Sequence, residues 1–328
     1  MPLILEGLGP VPAARAPGRH DRPSGAGRGR LDIGLVNNMP DAALKPTERQ
    51  FARLLAAASG ALDVRLHLFS LPEVPRGDAA RGHMRGRYGD LAALERARLD
   101  ALIVTGAEPV APSLADEPYW DALTRVVDWA EHNTVSTVWS CLAAHAAVLH
   151  LDGIARRRLP EKRSGLFECV RVAEAGLLDG APAGMRVPHS RWNDLPEGEL
   201  RRHGYRIESR SLEAGIDTFT KQWGSLFVFL QGHPEYDVET LFREYRRDVQ
   251  RFLGGERDGL PGVPAHYFDA RTEGAAADFA RRAAELREPG AWGLFPRVWA
   301  PRADLVERWQ ATAARLYGNW LGHVAEIR

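Results

Sequence analysis

Short apolar segments alternate with longer amphipathic ones through the first half of the chain. The apolar or alternating segments predict β-strands, and those with apolar positions three and four apart predict helices. Strands are predicted at 31–37, 62–70, 101–107 and 134–140, and helices at 47–58, 91–100 and 119–132. Such alternation is typical of a mostly parallel, flavodoxin-like sheet with helices on both faces. Ligands of these sheets bind beyond the carboxyl ends of the strands.

The pattern becomes more mixed after residue 155. Further strands with short links, typical of antiparallel hairpins, are predicted at 166–172, 204–210, 215–221 and 224–230. Helices are predicted at 237–253, 273–288 and 301–322. Residues 1–30 are rich in Gly, Pro, Ala and Arg without periodicity, which predicts a disordered or loosely attached tail. We therefore expect one domain at 31–254 and a C-terminal helical extension at 255–328 packed on it.

The start of the first helix is predicted from a capping box. Thr47-Glu48-Arg49-Gln50 has the hydroxyl and the amide three residues apart that such a box requires. Between residues 71 and 90 the sequence is rich in Pro, Gly and Arg, which predicts a loop.

Cys141 stands at a predicted corner between a strand and a helix. The strand ends there, so the thiol can project from the sheet edge, and the partial positive charge of the next helix's N-terminus favours the thiolate. The N–H of Leu142 would then point to where an oxyanion forms on an attacked carbonyl. A cysteine is among the most buried residue types and usually only packs. The corner alone therefore leaves catalysis and packing both open.

His233 and Glu235 lie two residues apart at the end of a predicted apolar strand. A cysteine nucleophile needs a base, and the base needs a group that fixes its tautomer and ring orientation. If Pro234 holds the segment extended, both side chains can line one cleft. Because Gly106 and Cys141 also fall at strand ends, the sequence predicts one shared site.

Composition and charge exclude several classes of protein. The chain has 328 residues, with 43 Lys and Arg against 43 Asp and Glu, so no general attraction to nucleic acid or anionic membrane is expected. Only two cysteines, Cys141 and Cys169, argue against a disulfide framework and favour a reducing cytoplasm. No apolar run has the length of a membrane span, and no secretory signal is recognised. Cys141 and His145 stand one helical turn apart without further ligands nearby, so no metal site is predicted.

Several segments in this order resemble the family of homoserine O-succinyltransferases and O-acetyltransferases. They are VNNMP (36–40), VTGA (104–107), PYW (118–120), STVWSCLAAHAAV (136–148), EKRSGLFE (161–168), VPHSR (187–191), GHPEYD (232–237) and RRDV (246–249). The resemblance extends from about residue 31 to about residue 253, with a weaker echo in HYF (266–268) and GNWL (318–321). It implies a class I glutamine-amidotransferase-like fold, in agreement with the predicted sheet.

The resemblance implies a ping-pong acyl transfer at the predicted corner. Cys141 would attack the thioester of an acyl-CoA and release CoA. His233 would be the general base, and Glu235 would orient it. The backbone N–H of Leu142, with a second from the turn after strand 101–107, would hold the oxyanion.

The resemblance also implies three substrate-binding residues, Lys162, Ser190 and Arg247. A substrate carboxylate is well matched by the planar fork of an arginine. Alternatives stay open for each position. Lys162 lies in a basic run typical of a solvated face, Ser190 can simply cap a turn, and Arg243 or Arg246 can take the place of Arg247.

The sequence departs from the family at three informative positions. Leu142 replaces the usual Trp after the nucleophile, and His145 replaces the usual Gln. The loop 108–118, which in that family helps to select the acyl group, has Val110 where a small or acidic residue is usual. Nucleophile, base and orienting acid are all retained, so these changes bear on the choice of substrates.

The expected function is acyl transfer from an acyl-CoA, succinyl-CoA rather than acetyl-CoA, to the hydroxyl of L-homoserine in methionine biosynthesis. Acyl-CoA would be a co-substrate, and no bound cofactor, nucleic acid or membrane partner is expected. Family members are often homodimers, so a homodimer is a candidate assembly. The alternatives are a glutaminase or amide hydrolase on the same Cys-His-Glu site, acyl transfer to another hydroxy amino acid such as serine, and a non-catalytic thiol sensor.

Overall fold

The computed structural model describes residues 4–5, 29–174, 176–286, 289–296, 299 and 301–328. The strands are β1 (Ile4–Leu5), β2 (Arg30–Val36), β3 (Asp63–Phe69), β4 (Tyr88–Gly89), β5 (Ala101–Thr105), β6 (Ser136–Ser140), β7 (Arg157–Arg171), β8 (Gly184–Asp194), β9 (Arg206–Ile207), β10 (Ser209–Ser211), β11 (Gly215–Ile216), β12 (Thr218–Gln222) and β13 (Leu226–Leu230). The α-helices are α1 (Asp41–Ala58), α2 (Asp78–Met84), α3 (Leu91–Arg96), α4 (Trp120–Asn133), α5 (Leu142–Asp152), α6 (Glu197–Arg202), α7 (Thr240–Leu253), α8 (Ala270–Leu286) and α9 (Ala303–Ile327).

The larger sheet has nine strands, in the order β1-β3-β2-β5-β6-β13-β12-β9, with β4 paired to β3. In that order, β1, β3, β2, β5, β6 and β13 run parallel to one another. β12 and β9 add an antiparallel edge. Ser140 pairs in register with both Thr105 and Leu230. The carboxyl ends of β5, β6 and β13 are therefore level, and the residues that follow them meet at one edge.

Helices cover both faces of this sheet, as the fold-class prediction requires. α4 and α5 bury one face together with Trp139 of β6, while α1 and α9 bury the other. The central strands are apolar along their whole length because neither face is open to water, and all five residues of β5 are buried. The flavodoxin-like arrangement predicted from the sequence is confirmed.

A second, four-stranded antiparallel sheet has the order β11-β10-β7-β8. Its long hairpin of β7 and β8 places Ser164 opposite Ser190 and Gly165 opposite His189. The N–H of His233 donates to Pro188 O at 2.7 Å, which ties this hairpin to the end of β13. β7 begins nine residues before the strand predicted at 166–172, and β8 was not predicted as a strand.

The predicted start of the first helix is wrong. α1 begins at Asp41 rather than near Thr47, because the Pro40 carbonyl accepts the N–H groups of the first turn. Gln50 does not cap the helix. It is buried, and its Nε2 donates to Thr240 Oγ1 at 2.8 Å. The loop predicted between residues 71 and 90 also contains α2.

The predicted tail and the C-terminal extension lie at the two ends of the chain. Residues 1–3 and 6–28 of the tail lie outside the described residues, and β1 pairs in parallel with β3. At the other end, α9 contacts α1 and β8. No helix among the described residues combines the length and the apolar character needed to cross a membrane.

Candidate active site

Cys141 occupies the corner between β6 and α5, with φ 52° and ψ −111°. Positive φ is strained for any residue with a side chain, and such strain is found where a turn must aim a functional group. The Cys141 N–H donates to Leu230 O at 2.7 Å, which anchors the corner to β13. The side chain is partly exposed, so the sulfur is open to the cleft.

His233 and Glu235 follow β13 and are both buried. Nδ1 of His233 lies 2.8 Å from Oε1 of Glu235, so the carboxylate fixes the orientation of the ring. The segment turns instead of staying extended, because the Tyr236 N–H donates to His233 O at 3.2 Å. The Tyr236 ring stacks on the imidazole with 4.2 Å between ring centroids. Pairing and stacking together hold the imidazole rigidly.

The Cys141 sulfur lies within hydrogen-bonding reach of the His233 side chain. Burial disfavours the imidazolium, but the Glu235 carboxylate and the Cys141 thiolate outweigh burial and raise the pKa of His233 well above its ordinary value. The arrangement therefore favours the protonated imidazole of His233 beside the cysteine sulfur. The structure brings together the three residues predicted from two remote segments.

The backbone beside the sulfur is packed closely. A Cβ added to Gly106, directly after β5, would lie 2.6 Å from Leu142 Cβ and 3.3 Å from Ala143 N. Only glycine allows the loop after β5 to approach the N-terminus of α5 so closely. The N–H of Leu142 starts the helix and has no partner one turn earlier in it, so it remains available to a developing oxyanion.

Lys162, Ser190 and Arg247 also lie together, on one wall of the cleft. Lys162 Nζ pairs with Asp248 at 2.8 Å and lies 3.7 Å from Glu244. Arg247 binds Asp248 through two nitrogens, at 2.9 and 3.0 Å. Ser190 Oγ donates to Glu244. The wall is thus a connected set of charges of both signs.

Glu244 and Asp248 were not predicted. Burial raises the pKa of Glu244, but Lys162, the Ser190 hydroxyl and Arg247 outweigh burial and lower it, so the carboxylate stays ionised. Their signal in the sequence is spacing: residues four apart on one helix share a face.

Arg243 and Arg246, the alternatives to Arg247, have other neighbours. Arg243 pairs with Glu239 on the exposed side of α7. Arg246 lies over the Trp292 ring, 5.7 Å from its centroid. Of these three arginines, Arg247 is the one that lines the cleft.

The cleft that joins these groups has a volume of about 1280 Å³. Its floor carries Cys141 and His233, and its lining includes the loop after β5. Arg158 and Arg257 lie over the Trp192 ring, 4.3 and 5.3 Å from its centroid. A cleft of this size and partly basic lining suits an extended, anionic ligand.

Two buried histidines near the cysteine make hydrogen bonds within the protein. His145, one turn after Cys141, places Nε2 2.9 Å from Gln231 Oε1, which engages that nitrogen within the protein. His189 lies with Cys169 and Asp217 in a buried group whose candidate ligand atoms are within 4.8 Å of one another. Burial raises the pKa of the Cys169 thiol strongly, so the thiol is neutral in this group.

The fold is class I glutamine-amidotransferase-like, with Cys141 at the corner between β6 and α5. Among solved structures, a glutamine amido transferase from Methylobacillus flagellatus matches 90% of this chain and 94% of its own with a TM-score of 0.51. At 14% sequence identity, that match establishes the fold alone.

The chain belongs to the homoserine O-succinyltransferase family. The family model of that description matches residues 21–327. A homoserine O-succinyltransferase from Rhodopseudomonas palustris is 50% identical over 327 residues, covering 98% of both chains. Another from Methylorubrum extorquens is 52% identical over 297 residues, covering 90% of this chain and 88% of its own. The resemblance read from the sequence segments is confirmed.

Proposed function

We propose that this protein transfers the succinyl group of succinyl-CoA to the hydroxyl of L-homoserine, a step of methionine biosynthesis, through an acyl-cysteine on Cys141. Family membership and the names of its relatives support the reaction. The observation that carries the mechanism is the Cys141 sulfur on the cleft floor, beside a buried imidazole that Glu235 orients. The cytoplasmic location inferred from the two cysteines and the homodimer remain predictions.

In the first half-reaction, the Cys141 thiolate attacks the thioester carbonyl of succinyl-CoA. The N–H of Leu142 and a second N–H from the loop after β5 stabilise the oxyanion of the tetrahedral intermediate. When the intermediate collapses, the bond to the CoA sulfur breaks and His233 gives its proton to the departing thiolate. The products are free CoA and a succinyl-cysteine.

In the second half-reaction, homoserine replaces CoA in the cleft. His233, now neutral, takes the proton of the homoserine hydroxyl as its oxygen attacks the acyl carbonyl. The carbon–sulfur bond then breaks, which returns the Cys141 thiolate and the imidazolium. Glu235 stabilises the charged imidazole at both stages.

The charged wall of the cleft accounts for recognition of an amino acid. Arg247 offers a planar guanidinium to the α-carboxylate. Glu244 is held ionised, and it offers an acceptor to the α-ammonium group. Lys162 and Ser190 contact Glu244 and orient it, and Lys162 adds positive charge near the carboxylate. A cation and an anion held at fixed separation select a zwitterion over a simple alcohol.

The test uses purified protein with succinyl-CoA and homoserine, and measures CoA release with a thiol reagent. Wild-type protein should release CoA in proportion to O-succinylhomoserine, and Cys141→Ala should not. Succinyl-CoA without acceptor should add one succinyl mass to the peptide that contains Cys141. Turnover in Cys141→Ala, or no acylated peptide in a single-turnover experiment, would contradict the mechanism.

A panel of substrates separates this proposal from its alternatives. Serine in place of homoserine tests the acceptor, and acetyl-CoA tests the donor. Ammonia release from glutamine without any acyl-CoA would instead support a glutaminase. Acylation of Cys141 by succinyl-CoA would contradict a purely non-catalytic thiol sensor.

A further inference from the structure

Arg156 is a cleft residue whose charge has no direct partner in the part of the chain that the structure describes. It follows α5, where Gly153 ends the helix with φ 67° and the buried Ile154 anchors the chain. Its side chain is half-buried and lines the same cleft as Cys141. Among the described residues, none forms a hydrogen bond or ion pair with its guanidinium. A partly desolvated guanidinium without an acceptor is costly, so its retention in a cleft points to an anionic ligand.

Glu117, a buried carboxylate that acts electrostatically on Arg156, already accepts other hydrogen bonds. Oε1 of Glu117 accepts the N–H groups of Val110 and Ala111, both at 3.0 Å. Glu117 therefore holds the loop after β5 in place and makes no ion pair with Arg156 among the contacts of the described residues.

A second donor beside Arg156 lacks an acceptor. The Tyr119 hydroxyl is buried and has no hydrogen-bond partner among the described residues. Burial raises the pKa of Tyr119, and Glu117 raises it further, while Arg156 acts in the opposite direction, which places the three groups within electrostatic reach of one another. Burial lowers the pKa of Arg156, and Tyr119, Glu117 and the Cys141 thiolate each raise it. The guanidinium and the Cys141 sulfur also line the same cleft.

We propose that Arg156 binds the terminal carboxylate of the succinyl group and so selects succinyl-CoA over donors with an uncharged acyl group. This inference rests on the proposed function. The terminal carboxylate lies only two methylene groups beyond the carbonyl that Cys141 attacks, whereas the CoA phosphates are separated from the sulfur by the whole pantetheine arm. An anion bound near the sulfur is thus the acyl carboxylate rather than a phosphate.

The experiment measures kcat/KM for succinyl-CoA and for acetyl-CoA, each at saturating homoserine. A second measurement lets the two donors compete at equal concentration. Arg156→Gln should lower kcat/KM for succinyl-CoA by about 10- to 100-fold, the usual effect of losing a hydrogen bond to a charged group. The value for acetyl-CoA should change by less than about 3-fold, since no carboxylate is present in that donor. Arg156→Lys should recover part of the succinyl-CoA activity, because lysine keeps the positive charge.

Arg157→Gln is the matched control. Arg157 is adjacent in sequence, but it is exposed and pairs with Glu199 at 2.8 Å, away from the cleft lining. Arg157→Gln should leave kcat/KM unchanged for both donors. Circular dichroism and the urea midpoint establish that each variant is folded. If Arg156→Gln does not fold, Arg156→Lys provides the test.

Two outcomes would overturn the inference. If Arg156→Gln lowers kcat/KM equally for both donors and weakens inhibition by free CoA, the guanidinium binds CoA itself. If the ratio of kcat/KM for succinyl-CoA to kcat/KM for acetyl-CoA is unchanged in Arg156→Gln, the residue does not select the acyl group. Wild-type protein that transfers neither acyl group to homoserine would instead contradict the proposed function, so the two failures are distinguishable.

Discussion

Nε2 of His145 lies 2.9 Å from Oε1 of Gln231, and this contact joins α5, which follows Cys141, to the end of β13 just before His233. Gln231 donates both amide hydrogens elsewhere, to Asp194 at 3.0 Å and to Ile216 O at 2.8 Å. Its oxygen must therefore accept, which assigns the His145 proton to Nε2. Cys141 and His233 are thus held in register by a pair that does not itself take part in the chemistry.

Acid should weaken the fold through His145. Burial lowers its pKa from 6.5 to about 4, so its neutral form is favoured in the folded protein. A depressed folded-state pKa means that the stability is present above the unfolded-state value and is lost as the pH falls from about 6.5 to about 4. The shift corresponds to about 3 kcal/mol in the free energy of unfolding.

Urea unfolding of wild type and His145→Gln between pH 7 and pH 4.5 measures this effect. Glutamine can hydrogen-bond Gln231 but does not titrate, so the variant should lose less stability with acid than wild type does. His132→Gln, at an exposed position of α4, should keep the wild-type slope. Parallel curves for wild type and His145→Gln would show that this histidine does not contribute to acid sensitivity.

Glu235 should affect both turnover and the alkaline side of the stability profile. Glu235→Gln keeps the shape but removes the charge that raises the pKa of His233, so kcat should fall by about 100- to 10,000-fold. A raised folded-state pKa contributes stability that is present below about pH 6.5 and is lost as the pH rises through the folded-state value. Glu235→Gln should therefore be less stable than wild type at pH 6.5, by about 1–3 kcal/mol.

The difference in unfolding free energy between wild type and Glu235→Gln should narrow toward pH 9.5. Unfolding in urea at pH 6.5 and at pH 9.5 measures it. The control is Glu239→Gln, which removes an exposed carboxylate paired with Arg243 and should change neither turnover nor the pH trend. A stability difference that grows with pH would contradict the ion pair between Glu235 and the imidazolium.

Gly106 should be required for turnover rather than for donor binding. In Gly106→Ala the new Cβ would lie 2.6 Å from Leu142 Cβ, so the N-terminus of α5 must move. A small displacement of an oxyanion donor costs about 100-fold in kcat, with little change in KM for succinyl-CoA.

Gly274→Ala is the matched substitution for Gly106→Ala. Gly274 lies within α8, and an added Cβ there would meet nothing within 4 Å. The variant should retain full activity and gain about 0.5–1 kcal/mol in unfolding free energy. Equal kcat in wild type and Gly106→Ala would show that the loop can yield without moving the oxyanion donor.

The central sheet could be predicted from the sequence because its strands are buried on both faces and are therefore continuously apolar. β5, β6 and β13 read clearly for this reason, and they carry the corner residues Gly106, Cys141 and the segment with His233. The hairpin of β7 and β8 was predicted less completely from the sequence than the central sheet was. The first half of β7 is polar and partly exposed, so it lacks the alternation that predicts a strand.

The partners of the substrate-binding residues depend on tertiary placement. Glu244 and Asp248 come from α7, whose many charges are typical of a solvated face. Only the packing of α7 beside β7 and β8 turns that face toward Lys162 and Ser190. Sequence spacing shows which side chains share a face of a helix, and it does not show what the face meets.

The corner at Cys141 should be a place where the fold loses stability for the sake of function. A side chain at φ 52° and ψ −111° costs about 1–3 kcal/mol, and glycine removes that strain. Glycine also adds about 0.5–1 kcal/mol of unfolded-state entropy, which acts against it. Since the strain is the larger effect, Cys141→Gly should be more stable than Cys141→Ala by about 1 kcal/mol, although both lack the thiol and should be inactive. Urea unfolding of the two variants measures the difference.

Ala277→Gly, at an exposed position inside α8, is the control and should be less stable than wild type by about 0.5–1 kcal/mol. If Cys141→Gly proves less stable than Cys141→Ala, the corner stores no strain.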